Sequence, residues 1–285
     1  MSTLDDLSRW VDESAGLLLG LDFDGTLAPI VDDPSEAALT PATRAVLEKF
    51  ARASSVVPAV VSGRGRDDLM RRVDVDGIAY AGNHGLELAY GGTETVHPAA
   101  AKRRSTIARL CDEIETRLRD VPGCAVENKG VTATVHFRRT PDDAVPTLVS
   151  TVEDVVSDVA RVELTEGKQI REIRPAVEWD KGEAMKLLSE AAPDDWRAMY
   201  IGDDTTDEDA FRAIRPDGVG VQVVDSSSDE RSTDTAAGYR LDGQREVSFL
   251  LAWVGMSLNT AGSRESRQEP LTLPLRFTDA RSEGK

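Results

Sequence analysis

Two aspartates flank one phenylalanine in Asp22-Phe23-Asp24, directly after the apolar run Leu17-Leu18-Leu19-Gly20-Leu21 and directly before Gly25-Thr26-Leu27. An unbroken apolar run of this length is the pattern of a strand buried on both faces. Both carboxylates are therefore expected at the carboxyl end of a central strand. Alternate strand side chains share a face, which would put Asp22 beside Asp24 and turn Phe23 inward. Two like charges so placed raise each other's pKa unless a cation or a proton lies between them. A hard divalent ion relieves the repulsion, and Mg²⁺ suits an all-oxygen site that keeps some waters. The other reading is a pair of acids that end a strand and face solvent.

Further chemistry follows the ends of other apolar runs. The run Val56 to Val61 ends in Ser62-Gly63-Arg64. There a hydroxyl and the free amides of a helix start can hold a phosphate oxygen, with the Arg64 fork paired to the same group; the plainer reading is an N-cap serine and a solvated arginine. Asn83-His84 sits between Gly82 and Gly85, and His84 either meets a ligand or fixes the turn. Lys181 lies near a helix start, where the dipole disfavours a cation unless anions face it, so Asp22 or a phosphate is its expected partner. After the run Ala198 to Ile201 comes Gly202-Asp203-Asp204-Thr205-Thr206-Asp207. Helix capping accounts for some of these acids, but their density points to a bound cation.

The elements that must position these groups read as strand, helix, strand, with the chemistry at the carboxyl ends. That is the signature of a doubly wound, Rossmann-like parallel sheet, whose ligands lie beyond those ends. A helix is expected from Pro41 to Ala53, capped by Thr40. From about Pro98 the pattern changes to helix, hairpin, helix, hairpin, which can close a small α+β domain of its own. Residues 98–174 are thus expected as an inserted cap, residues 1–97 and 175–258 as the α/β core, and residues 259–285 as a polar tail. Within the insertion, Glu127, Lys129 and Glu172 offer acceptors and a donor suited to sugar hydroxyls, or are ordinary strand-edge charges. A hydroxyl-rich ligand demands such matched pairs, because one buried unpaired polar group costs about 1–3 kcal/mol.

The bulk numbers narrow the classes. A chain of 285 residues with net charge -17 lacks the clustered positive surface a nucleic acid needs. Seven lysines against 27 arginines make the basic side arginine-rich. An acidic, lysine-poor surface suits a salty cytoplasm or reflects ordinary compositional bias. The two cysteines, Cys111 and Cys124, form no metal spacing and no disulfide framework. With no apolar leader or spanning run, the expectation is a cytoplasmic monomer that binds neither membrane nor nucleic acid.

Taken in order, the aspartate pair, Ser-Gly-Arg, the lysine and the acidic cluster resemble the four-motif signature of the haloacid dehalogenase superfamily of phosphohydrolases. Tyr80-Ala81-Gly82-Asn83-His84-Gly85, Glu127-Asn128-Lys129-Gly130 with His136-Phe137-Arg138, and Glu172-Ile173-Arg174-Pro175 resemble, more narrowly, the trehalose-6-phosphate phosphatases. Phe137 stands where that family commonly has tyrosine. The resemblance implies a haloacid dehalogenase-like core with a cap and a Mg²⁺-dependent phosphatase acting on a sugar phosphate. It implies Asp22 as nucleophile, Asp24 as acid and base, and Ser62 and Lys181 around the phosphoryl group, with Arg64 nearby. Asp22, the backbone carbonyl of Asp24, and Asp203 would hold the metal, with Asp204 or Asp207 supporting its shell or orienting Lys181. Arg64, Asn83, His84, Glu127, Lys129 and Glu172 would bind substrate, the last three brought onto it by a closing cap. The rivals are a phosphatase for sucrose 6-phosphate or a hexose phosphate, a phosphoacceptor signalling domain, and a sugar-phosphate binder without turnover.

Overall fold

The computed structural model describes residues 4–31, 33–224 and 234–261. The chain divides into two compact units, residues 1–95 with 179–285, and residues 96–178. Most of the expected tail lies outside the described residues.

In the first unit, α1 (Leu4–Asp12) leads to β1 (Leu17–Leu21), α2 (Pro41–Ala51), β2 (Val56–Val61), α3 (Arg66–Val73), β3 (Ala79–Gly82), β4 (Glu87–Tyr90) and β5 (Thr93–Val96). The second unit holds α4 (Pro98–Ala101), α5 (Arg104–Arg117), β6 (Ala125–Asn128), β7 (Ala133–His136), α6 (Val145–Ser157), β8 (Val162–Gly167) and β9 (Ile170–Pro175). The first unit resumes with α7 (Lys181–Glu190), β10 (Arg197–Gly202), α8 (Asp207–Ala213), β11 (Val219–Val224), β12 (Tyr239–Asp242) and α9 (Gln244–Ala261).

The main sheet runs β12-β11-β10-β1-β2-β3-β4-β5, parallel from β12 through β3, with β4 antiparallel to β3. β1 lies inside it, and its five residues are all buried. Leu17, Leu19 and Leu21 pack into the apolar layer that includes α1 and α9. Leu18 faces the layer of Met185, Leu188 and Tyr200. Gly20 is needed on that second face, because a side chain there would sit 2.5 Å from the Tyr200 ring. Burying each of these leucines contributes roughly 1.5–3 kcal/mol, so the strand that ends in Asp22 is firmly fixed.

Pro58 in β2 seems at odds with an inner strand. The β2–β3 ladder, however, begins only at Ala59–Ala79, so one side of Pro58 has no ladder bond to lose. α9 runs on to Ala261 because Val247, Leu250, Leu251, Val254 and Leu258 form one buried stripe along it.

The second unit has its own antiparallel sheet, ordered β6-β7-β9-β8. Ala133, Val135 and Ile173 on one face form a core with Ile107, Leu110 and Cys111 of α5 and with Leu148 and Val152 of α6. Burial pushes the Cys111 thiol up to about 11, as befits a core residue. None of the described helices is long and apolar enough to cross a membrane.

Candidate active site

β1 ends at Leu21, but Asp22 still ties itself to the sheet, its amide donating to the Ile201 carbonyl at 2.9 Å. The chain then turns sharply. The amides of Leu27 and Ala28 both donate to the Phe23 carbonyl, and that of Gly25 donates to the Ala28 carbonyl. Gly25 has φ +84°, and a side chain there would run into the Asp203 carboxylate, so this position requires glycine on two counts. Because Asp24 lies in the turn, strand alternation no longer sets its direction.

Lys181 opens α7, where Asp180 supplies the N-cap by accepting from the Glu183 amide at 3.0 Å. The Lys181 ammonium is 3% exposed and donates to Asp22 Oδ1 at 2.8 Å and to Asp207 Oδ1 at 2.6 Å. Burial alone would lower its pKa, but Asp207 and then Asp22 reverse that and hold it charged. Tyr200 donates its hydroxyl to the same Asp207 oxygen at 2.7 Å, and the Asp204 amide donates to Asp207 Oδ2 at 2.9 Å. Asp207 is thus buried and bonded on both oxygens, and it aims Lys181 at Asp22.

Asp203 lies close to Asp22 and accepts from Thr26 Oγ1 at 3.0 Å. Burial pushes its carboxyl up to about 7, Asp207 adds to the rise, and the Thr26 hydrogen bond opposes it. Asp22 is raised in the same way, by burial first, against the pull of Lys181. Ligand oxygens of Asp22, Asp203 and Asp207 lie within 4.8 Å of one another. An all-oxygen group of mutually repelling carboxylates, with those of Asp22 and Asp203 raised by burial, is a fit for a hard divalent cation.

The Ser-Gly-Arg turn follows β2. Ser62 is buried, its amide bonded to the Ala81 carbonyl and its hydroxyl accepting from the Arg64 amide at 3.2 Å. The Arg64 guanidinium lies 5.3 Å from the Phe23 ring centroid and forks onto Asp24, Nε to Oδ2 and Nη2 to Oδ1, both at 2.7 Å. Its remaining arm reaches Asp68 Oδ2 at 3.1 Å. The next turn interlocks with this one. Asn83 and His84 both have left-handed backbone, φ 51° and 56°. Their amides donate to the carbonyls of Arg64 and Ser62 at 2.7 and 2.9 Å. The Asn83 side chain is fully buried and donates to Glu87 Oε2 at 2.7 Å.

In the second unit, the strand register puts Glu127 opposite Thr134, Thr134 opposite Glu172, and Glu172 opposite Thr165. Opposite residues in an antiparallel ladder share a face, and this row lies on the face away from Ala133 and Val135. Lys129 Nζ is 3.7 Å from Glu172 Oε1, each side chain only 11% exposed. His136 Nε2 is 2.9 Å from Glu127 Oε2.

The expected residues Asp22, Lys181 and Asp203 therefore converge, and Ser62, Arg64 and His84 share one pair of bonded turns. The carboxylates of Asp24 and Asp204 do not join the acid group. Asp24 is held by Arg64, and Asp204 Oδ1 accepts from the amide and hydroxyl of Thr205 at 2.6 and 3.1 Å. Asn83, expected at a ligand, is turned inward by Glu87. Sequence reasoning missed Thr26, Tyr200, Asp68 and Glu87, of which only Asp68, one helical turn from both Arg64 and Arg72, carried a readable spacing.

The trehalose-phosphatase family model matches residues 20–245. This chain belongs to the trehalose-phosphatase family. It is similar to trehalose-phosphate phosphatase B of Arabidopsis thaliana, 34% identical over 277 residues, 92% of this chain and 73% of that one. Among solved structures, the C-terminal domain of the C. albicans trehalose-6-phosphate phosphatase matches with a TM-score of 0.72 and 25% identity, over 90% of this chain and 97% of that one. A haloacid dehalogenase-like hydrolase from Bacteroides thetaiotaomicron shares the fold, with a TM-score of 0.58 and 14% identity over 84% of this chain and 98% of that one. In this family member all four motifs of the haloacid dehalogenase-like core fall at strand or helix ends of the first unit.

Proposed function

We propose that the chain hydrolyses trehalose 6-phosphate to trehalose and inorganic phosphate, with Mg²⁺ as its metal. Family membership supports the reaction class. The observation that carries the reading is the buried ammonium of Lys181 fixed between Asp22 and Asp207, beside Asp203. A nucleophilic carboxylate there has a permanent positive neighbour and, close by, a cation-binding acid.

Asp22 and Asp203, with the backbone carbonyl of Asp24, would hold the ion, which when bound supplies the positive charge that offsets repulsion between carboxylate and phosphate dianion. An Asp22 oxygen bonds to phosphorus as the phosphorus–sugar oxygen bond breaks. Asp24 passes a proton to the departing oxygen, then takes one from the water that attacks the aspartyl-phosphate, and the bond to Asp22 breaks. Arg64 must release Asp24 for this. The incoming phosphate offers the guanidinium the same forked geometry, so the exchange conserves its bonds. Lys181 and Ser62 steady the transferring phosphoryl oxygens, and Asn83 positions the turn that carries His84. Sugar recognition is assigned to Glu127, Lys129 and Glu172 of the second unit.

The test is release of phosphate from trehalose 6-phosphate, sucrose 6-phosphate and glucose 6-phosphate, each with Mg²⁺ and with a chelator. Turnover should be fastest with trehalose 6-phosphate and vanish on chelation. Faster turnover of either other sugar, or turnover indifferent to chelation, would refute the assignment.

A further inference from the structure

Thr134 sits at the middle of the polar row in the second unit, between Glu127 on one neighbouring strand and Glu172 on the other. It is 1% exposed, and its Oγ1 finds no hydrogen-bond partner among the described residues. A buried hydroxyl left so is unfavourable. A position serving only the sheet would be better filled by valine, which has the same branched shape and the same liking for strands without a polar atom to satisfy. The residues on either side, Ala133 and Val135, belong to the apolar core, so the hydroxyl is on the opposite face with the two glutamates.

That face reads, strand by strand, as carboxylate, hydroxyl, carboxylate and, on the edge strand, the hydroxyl of Thr165, with the Lys129 ammonium 3.7 Å from Glu172. A sugar hydroxyl is both donor and acceptor, and so is threonine's, whereas the glutamates only accept and the lysine only donates. Thr134 and Thr165 are therefore the members of the row able to meet either half of a sugar hydroxyl, and of the two Thr134 is the buried one, set between both glutamates. We propose that the Thr134 hydroxyl, held between Glu127 and Glu172, binds a hydroxyl of the substrate's sugar and so helps set specificity. The inference rests on the assignment of sugar recognition to this face.

Thr134→Val and Thr134→Ser separate a ligand contact from a structural role. With trehalose 6-phosphate, Thr134→Val should raise KM about 5- to 20-fold, the loss of one neutral hydrogen bond. Its kcat/KM for p-nitrophenyl phosphate, which lacks sugar hydroxyls, should stay at the wild-type value. Its Tm should equal or exceed wild type, since an unpaired polar atom is removed. Thr134→Ser should keep KM within about 2-fold of wild type, having kept the donor and acceptor. An unchanged KM in Thr134→Val, or an equal loss with both substrates, would overturn the inference while wild-type turnover of trehalose 6-phosphate left the function standing. A wild-type enzyme that cleaves p-nitrophenyl phosphate but not trehalose 6-phosphate would instead overturn the substrate assignment, and with it the inference.

Discussion

Lys181 shows why single residues here cannot be exchanged one at a time. Its single ammonium is shared by two buried carboxylates, and neither Asp22 nor Asp207 has another cation in the described hydrogen bonds. Removing one member of a buried ion group leaves the rest uncompensated, at a cost of about 3–5 kcal/mol. Lys181→Met is accordingly expected to lose that much in denaturant unfolding as well as its turnover. Adding Asp207→Asn should recover part of the stability and none of the activity. A single variant as stable as wild type would show that the three charges are not energetically linked. The sequence marks Lys181 as needing an anion, because a cation at a helix start is unfavourable without one. It does not say that Asp207 rather than Asp204 is its second partner. That choice follows from the turn after β10, where Asp204 spends an oxygen on Thr205 and Asp207 is drawn inward by Tyr200.

At the scale of elements, α3 links the Ser62-Gly63-Arg64 turn to the loop that follows the aspartates. Asp68 accepts from Arg64 at 3.1 Å and from Arg72 at 2.6 Å, and Arg72 also donates to the carbonyls of Ser35 and Ala37 at 2.9 and 3.0 Å. Burial would raise the Asp68 carboxyl, but the hydrogen bonds from Arg72 and then Arg64 outweigh it and hold it below its ordinary value of 3.8. A carboxyl depressed in the folded state stabilises above 3.8, and that contribution disappears as pH falls through the folded value. Asp68→Asn should therefore lower Tm at pH 7 by about 2–4 °C, the equivalent of about 1 kcal/mol for a partly exposed network. The gap to wild type should close as thermal melts are taken to lower pH, below 3.8; a gap constant over the whole range would contradict this account. Most elements could be read from hydrophobic period alone. The hairpin of β4 and β5 was not, although Gly91-Gly92 between two short runs is a turn signal, because its outer strand is too polar to show a buried face. The helix α8 was hidden under its own acids, which read as cation ligands before they read as a helix start.

For the molecule as a whole, the division into two units was legible because a wound parallel sheet and a small antiparallel sheet carry different hydrophobic patterns. The proposed phosphoryl transfer would draw on groups that converge at the carboxyl ends of parallel strands, which a wound sheet supplies. The proposed hydroxyl recognition would use the polar row on the small antiparallel sheet of the second unit, which has its own core. What stayed hidden is the pairing within each site, such as Arg64 on Asp24, since a fork can satisfy carboxylate and phosphate alike. The central claim is that Asp22 takes the phosphoryl group onto itself. The most direct measurement is acid quenching of the enzyme during turnover of trehalose 6-phosphate labelled in its phosphate, followed by mapping of any protein-bound label. The account predicts label on Asp22 in the wild type and none in Asp22→Asn; a wild type that turns over without ever carrying label on Asp22 would contradict it.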